Sequence, residues 1–81
     1  MIALVLGCEE EVRAFALAGV DGYACDSPLA VEKAAAAVRG REDVALVLVC
    51  AKLQRLAPAA LARLERPEGP PTVLVLPGGD A

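Results

Sequence analysis

The stretch VALVLVC, Val44 to Cys50, decides the fold. It is an unbroken run of small apolar and β-branched residues, which predicts a strand buried on both faces inside a parallel sheet covered by helices. Two similar runs flank it, IALVL at Ile2 to Leu6 and TVLVL at Thr72 to Leu76. Ala-rich segments separate the three runs, so strands and helices alternate along the chain.

The first helix is predicted to follow Gly7 directly. Glu9 to Glu11 supply carboxylates where the helix dipole favours negative charge. Apolar residues then recur at helical spacing and predict one face packed on the sheet: Val12, Phe15, Ala16 and Gly19. Ala18-Gly19 is expected to end this helix.

Residues that typically begin or end an element delimit the second strand and the second helix. Val20 to Cys25 predicts a short strand near a sheet edge, because Asp and Gly disfavour a long one. Asp26 or Ser27 can cap the next helix, with Pro28 in its first turn, and Gly40 is expected to stop it.

The third helical region, Lys52 to Glu65, holds one apolar stripe but contains Pro58. Proline clashes inside a continuous helix, so we expect one turn over Leu53 to Leu56 and a fresh helix from Pro58. Right-handed crossovers then predict an α/β, Rossmann-like or flavodoxin-like domain with a four-stranded parallel sheet of order 2-1-3-4 and helices on both faces. We expect residues 1–81 to form this single domain.

Composition narrows the function. The 81 residues have a formal charge of −3, no basic run and only one Phe, one Tyr and no Trp, which argues against nucleic acid as a partner. There is no His, the usual general base and metal ligand near neutral pH. No apolar run is long enough to cross a bilayer, so we expect no direct membrane insertion. The three cysteines form no CxxC pair, and an odd count fits a reducing compartment, so we expect a cytoplasmic location.

The carboxyl ends of the predicted strands, where such folds bind ligands, carry little that could do chemistry. Gly7-Cys8-Glu9 is not a phosphate-binding loop. Glu9 and Glu10 resemble the acidic pair of a response-regulator receiver domain, but Cys50 stands where the phospho-acceptor Asp would be. We therefore predict no enzyme, no catalytic or metal site and no cofactor. A small receiver-like regulatory or ligand-binding domain remains an alternative.

Three cysteines follow predicted strands: Cys8, Cys25 and Cys50. Strand one lies between the other two, so the thiols could be neighbours and hold a soft metal. Without paired spacing or a nearby His, packing as small hydrophobes is the simpler interpretation.

Several stretches together resemble the F subunit of the V-type and archaeal-type rotary ATPases. They are IALVLG at the start, VRAFALAGV, EDVALVLVCAKL and PPTVLVLPG, and they cover nearly the whole chain. Ala14 replaces the Gly that the family has before Phe15. Family members also usually carry a further C-terminal helix, which we expect this chain to lack.

The resemblance implies a non-catalytic rotor component that binds the coiled-coil D subunit in the central stalk and helps couple ATP turnover to ion transport. It would be peripheral to the membrane through the ATPase complex. With no C-terminal helix expected, contact must come from the third helical region and the final turn. We predict that the partner-binding residues are Leu53, Arg55, Leu56, Pro77 and Gly78. The alternative for the two leucines is that both are simply core residues, buried on the sheet.

Overall fold

The computed structural model describes residues 2–65 and 68–77. The strands are β1 (Ile2–Gly7), β2 (Asp21–Ala24), β3 (Val44–Cys50) and β4 (Thr72–Leu76). The helices are α1 (Glu9–Leu17), α2 (Pro28–Arg39), α3 (Ala51–Leu56) and α4 (Pro58–Ala62).

The four strands form one parallel sheet of order β2-β1-β3-β4, which confirms the predicted topology. Parallel strands need crossover connections, and each crossover here is helical. α1 packs on β1 and β2, whereas α2, α3 and α4 contact one another on the opposite face. The α/β architecture with helices on both faces is therefore confirmed.

The main hydrophobic core lies between the sheet and α2, α3 and α4. The strands contribute Leu4, Leu6, Val44, Val47 and Val49 together with Cys25, and the helical regions contribute Val31, Ala34, Ala35, Val38, Leu53, Ala57, Ala60, Leu61 and Leu64. No polar or charged side chain is buried within residues 2–65 and 68–77. The small side chains allow the helices to approach the sheet closely.

Local signals explain where the first two helices begin and end. The Ser27 hydroxyl accepts a hydrogen bond from the Ala30 backbone N–H at 3.1 Å, and Pro28 occupies the first helical position. Gly40 caps the end of α2 as predicted. α1 stops before Gly19, whose φ of +85° suits glycine far better than any residue with a side chain.

The predicted burial of α1 is wrong in extent. No residue of this helix is fully buried; Val12 and Phe15 are half-buried, and Ala16 and Gly19 are exposed. The periodicity identified the face that turns toward the sheet. It did not indicate that α1 has only two strands beneath it.

β3 also differs from the expectation of burial on both faces. Val47 and Val49 are fully buried on the side of α2, but Leu46 and Leu48 on the α1 side are only half-buried. Alternate residues of a strand point to opposite faces, so this difference in burial shows how well each helical layer covers the sheet. The α1 layer covers less of the sheet.

The predicted break at Pro58 is confirmed. α3 ends at Leu56, Ala57 adopts φ −148° and ψ 67°, and α4 starts at Pro58. α4 ends at Ala62, short of the predicted Glu65. Leu64 is nevertheless fully buried beyond the helix end, so it extends the core.

The loop after α2 is tied to the outer strand by Arg41. Its guanidinium donates to both carboxylate oxygens of Asp43, at 3.0 and 2.8 Å, and to the Tyr23 hydroxyl at 3.5 Å. The hydrogen bonds from Arg41 hold the pKa of the Asp43 carboxyl below its ordinary value. Within the described ranges, no helix is long and apolar enough to cross a bilayer.

Candidate functional site

A groove of about 830 Å³ opens at the carboxyl ends of β1, β3 and β4, between the start of α1 and α3. This is the edge where parallel sheets usually bind their ligands. The groove combines apolar side chains, Phe15, Leu56, Leu76 and Pro77, with charged ones, Glu10, Glu11, Lys52 and Arg55. Mixed surfaces of this kind suit a protein partner.

Glu11 organises one side of the groove. Its Oε1 accepts a hydrogen bond from the Cys8 backbone N–H at 3.0 Å, which satisfies a donor left free at the helix start. That hydrogen bond is the main reason why the pKa of Glu11 lies below its ordinary value. The carboxylate therefore stays charged near neutral pH, and it stabilises the start of α1.

Cys50 lies beside this carboxylate at the end of β3. Burial, followed by its hydrogen bond with Glu11, raises the pKa of the Cys50 thiol to about 12. A nucleophilic cysteine needs the opposite, a thiolate stabilised near neutral pH. Cys50 is thus a neutral packing group with only 4% of its surface exposed.

Gly7 makes this arrangement possible. A Cβ at Gly7 would lie 2.7 Å from Cys50 Sγ and 3.0 Å from Glu11 Oε1. Both groups therefore occupy the space that a side chain at position 7 would fill.

Three of the five predicted partner residues lie together in the groove: Arg55, Leu56 and Pro77. Leu53 does not, because it points into the core and is 1% exposed. Its assignment to a partner surface was wrong; the alternative that it is simply a core residue is the one the structure supports. Gly78 lies outside the described residues. Whether the three groove residues contact a partner stays a prediction.

The three cysteines do not form one cluster. Cys8 and Cys50 line the groove, but Cys25 is buried in the main core, where its thiol lies 3.6 Å from the Tyr23 carbonyl oxygen and 3.8 Å from that of Ala30. Burial raises the pKa of Cys25. Among the residues that the structure describes, no group of three metal-ligating side chains exists. The suggestion of a three-thiolate site was wrong.

Comparison with known proteins identifies the family. The family model for the ATP synthase (F/14-kDa) subunit matches residues 3–81. The chain belongs to the ATP synthase F subunit family. This assignment confirms the resemblance on which the sequence analysis relied and takes the place of the receiver-like alternative.

A solved relative supports the family assignment through its fold. The chain is similar to the F subunit of the V-type ATP synthase from Archaeoglobus fulgidus, with a TM-score of 0.78 and 27% sequence identity. The match covers 94% of this chain and 96% of that chain. No curated protein matches the chain significantly.

Sequence reasoning missed two features on the surface of this F-family chain. Phe15 was assigned to packing on the sheet, yet it is half-buried and lines the groove. Leu74 was assigned to a covered strand, yet 52% of it is exposed. For Phe15, the available sign was that the only Phe of the chain lies in a helix with too few apolar residues to be fully covered. For Leu74, the available sign was the number of helices on each face of the sheet, because one face receives only α1.

Proposed function

We propose that this chain is a non-catalytic component of the central stalk of a V-type or archaeal-type ATP synthase, where it binds the coiled-coil D subunit. Membership of the F subunit family supports this role. The groove supports the proposal further, because a groove lined by both apolar and charged side chains suits an amphipathic helix.

The groove favours binding over chemistry. Its buried thiol at Cys50 has a raised pKa, and its Glu11 carboxylate is used to satisfy the start of α1. Lys52 and Arg55 can instead pair with acidic residues across an interface, and Leu56 supplies apolar contact. The chain would help couple ATP turnover to ion transport by transmitting rotation through its surface. It would stay cytoplasmic and peripheral to the membrane, held by the complex.

A titration with the purified D subunit tests the proposal. The chain should bind the coiled coil at a ratio of one to one in isothermal titration calorimetry. Arg55→Glu combined with Leu56→Ser should abolish that binding, because the pair reverses one charge and removes apolar contact at the groove. Absence of binding by the parent chain would overturn the stalk assignment.

The matched control is Leu29→Ser, which changes a leucine that is 59% exposed on α2, away from the groove. This variant should bind the D subunit as the parent does. Leu56 also packs against the core, so circular dichroism must show that the double variant is folded. The single variant Arg55→Glu keeps Leu56 packed against the core, and circular dichroism of this variant as well separates loss of binding from loss of fold. If both the single and the double variant bind the D subunit with the affinity of the parent, the contact does not lie in the groove.

The non-catalytic assignment has its own test. We expect no tight nucleotide binding when the chain is titrated with Mg-ATP, because residues 7–9 offer no phosphate-binding loop. Micromolar affinity for ATP in that titration would contradict the assignment.

A further inference from the structure

The α1 side of the sheet is only half covered. The in-register row Val5, Leu48 and Leu74 crosses from β1 to β4 on this side. Exposure rises along the row: Val5 is 0% exposed, Leu48 is half-buried and Leu74 is 52% exposed. The cover that α1 provides therefore fades between β1 and β4.

The uncovered area is mainly apolar, with Thr72 as an exposed polar residue opposite Leu46 on β4. Leu46 lies one step along β3 on the same side, and Leu76 lies at the far end of β4. We call these four leucines the open strip: Leu46, Leu48, Leu74 and Leu76. β3 and β4 contain no charged residue that would favour contact with water, and Leu76 also lines the groove. Contiguous exposed apolar surface of this kind marks an interaction site.

The dimensions of the open strip suit one helix. Two neighbouring strands span about 5 to 10 Å across, and a helix with its side chains is about 10 Å wide. Strands of five and seven residues are about 17 to 23 Å long, which equals the length of a helix of about 11 to 15 residues. On the opposite face helices cover β3 in this way, whereas the edge strand β4 keeps Val75 41% exposed there.

We propose that the open strip seats one helix of the coiled-coil partner, lying next to α1 over β3 and β4. This inference rests on the proposed function and adds to it the main contact surface, with the groove as one end of the seat. Within residues 2–65 and 68–77 no second helix lies beside α1 in this layer, and the occupant fills that place. Helices packed on both faces of a parallel sheet are the usual way to bury it.

Charge at the end of the open strip specifies the partner helix further. There the groove presents Glu10 from α1 and Lys52 from α3, both exposed. A complementary helix carries an apolar stripe, a basic residue toward α1 and an acidic residue toward α3. A second copy of this chain would instead bring another flat leucine strip together with its own Glu10 and Lys52, so the oligomeric state of the free chain decides between these two occupants.

Leucine-methyl NMR on the full chain tests the proposal during titration with the D subunit. The methyl signals of Leu46, Leu48 and Leu74 should shift, and those of Leu29, exposed on the other face, should not. Shifts confined to Leu56 would place the helix in the groove alone and overturn the proposed seat.

Variants give the matching affinity measurement. Leu74→Asp should weaken binding of the D subunit by about 30-fold or more, the loss expected for a central interface residue. Leu29 on α2 is similarly exposed, and Leu29→Asp should leave the affinity for the D subunit unchanged. If Leu74→Asp does not fold, Leu74→Thr keeps a strand-forming residue and should still weaken binding.

The outcomes separate this inference from the function on which it rests. Parental affinity in a folded Leu74 variant overturns the seat and leaves the stalk assignment standing, whereas failure of the parent chain to bind the D subunit overturns both. Sedimentation equilibrium adds a third readout. A dimer of the free chain that Leu74→Asp dissolves would show that a second copy is the occupant, and would overturn the proposal.

Discussion

Substituting Gly7 by Ala should destabilise the domain through one identifiable contact. The new Cβ would lie 2.7 Å from Cys50 Sγ, whereas ordinary contact begins at 3.4 Å, so these atoms must separate by about 0.7 Å. Gly7 lies in β1 between packed strands and is itself buried. Neither strand can move away freely, because both belong to the sheet.

The magnitude follows from two opposing effects. Overpacking of a filled site costs about 1 to 3 kcal/mol. Replacing Gly by Ala also restricts the unfolded chain, which returns about 0.4 to 1 kcal/mol where the native backbone suits Ala. Gly7 has no positive φ, so that gain applies. The free energy of unfolding should therefore fall by between about 0 and 2.6 kcal/mol, with about 1.3 kcal/mol at the centre of that range, measured by urea denaturation.

A double-mutant cycle with Cys50→Ala tests the cause. Cys50→Ala alone removes one buried sulfur and should cost about 1 kcal/mol. In the double variant the sulfur is gone, and the contacts that remain close to the new methyl group are Glu11 Oε1 at 3.0 Å and Glu11 Cβ at 3.3 Å, both longer than the 2.7 Å contact with the sulfur. The double variant should thus be more stable than the sum of the single losses implies. Additive losses would refute the clash with Cys50 as the cause.

Three further outcomes follow from other contacts. Gly22→Ala should lower the midpoint of thermal denaturation more than Gly7→Ala does, because its Cβ would lie 2.5 Å from the backbone oxygen of Val5, and backbone paired in a sheet gives way less readily than a side chain. Ser27→Ala should cost about 0.5 to 2 kcal/mol in urea, since it removes the N-cap bond to Ala30. The lowered pKa of Glu11 stabilises the fold above its ordinary value of 4.5. This contribution is lost as pH falls through the lowered pKa, so Glu11→Gln should flatten the acid limb of a stability-against-pH curve.

The strands and their order were predictable because their signals are local and redundant. Val44 to Cys50 and Thr72 to Leu76 match the observed strands residue for residue, since these apolar runs are too short for a typical helix and rich in β-branched valine. The proline rule placed the break before Pro58 equally well.

The groove was only partly predictable, because it depends on how separate elements meet. Arg55 and Leu56 were found from their position before Pro58, but Leu53 belongs to the same turn and faces the core. Periodicity ranks faces within one helix and says nothing about what lies opposite. The contact of Gly7 with Cys50 joins residues 43 positions apart, so no local pattern could reveal it.

Tyr23, whose hydroxyl accepts a hydrogen bond from Arg41, is also the residue that intrinsic fluorescence of this chain would report. Tyr23 is the only tyrosine and the chain has no tryptophan, so nearly all of its intrinsic ultraviolet emission comes from β2, at the edge of the sheet opposite β4. Unfolding, which breaks the bond of this half-buried ring to Arg41, should change that emission. A tryptophan placed in a partner's helix could be excited selectively, giving a binding signal without background from this chain.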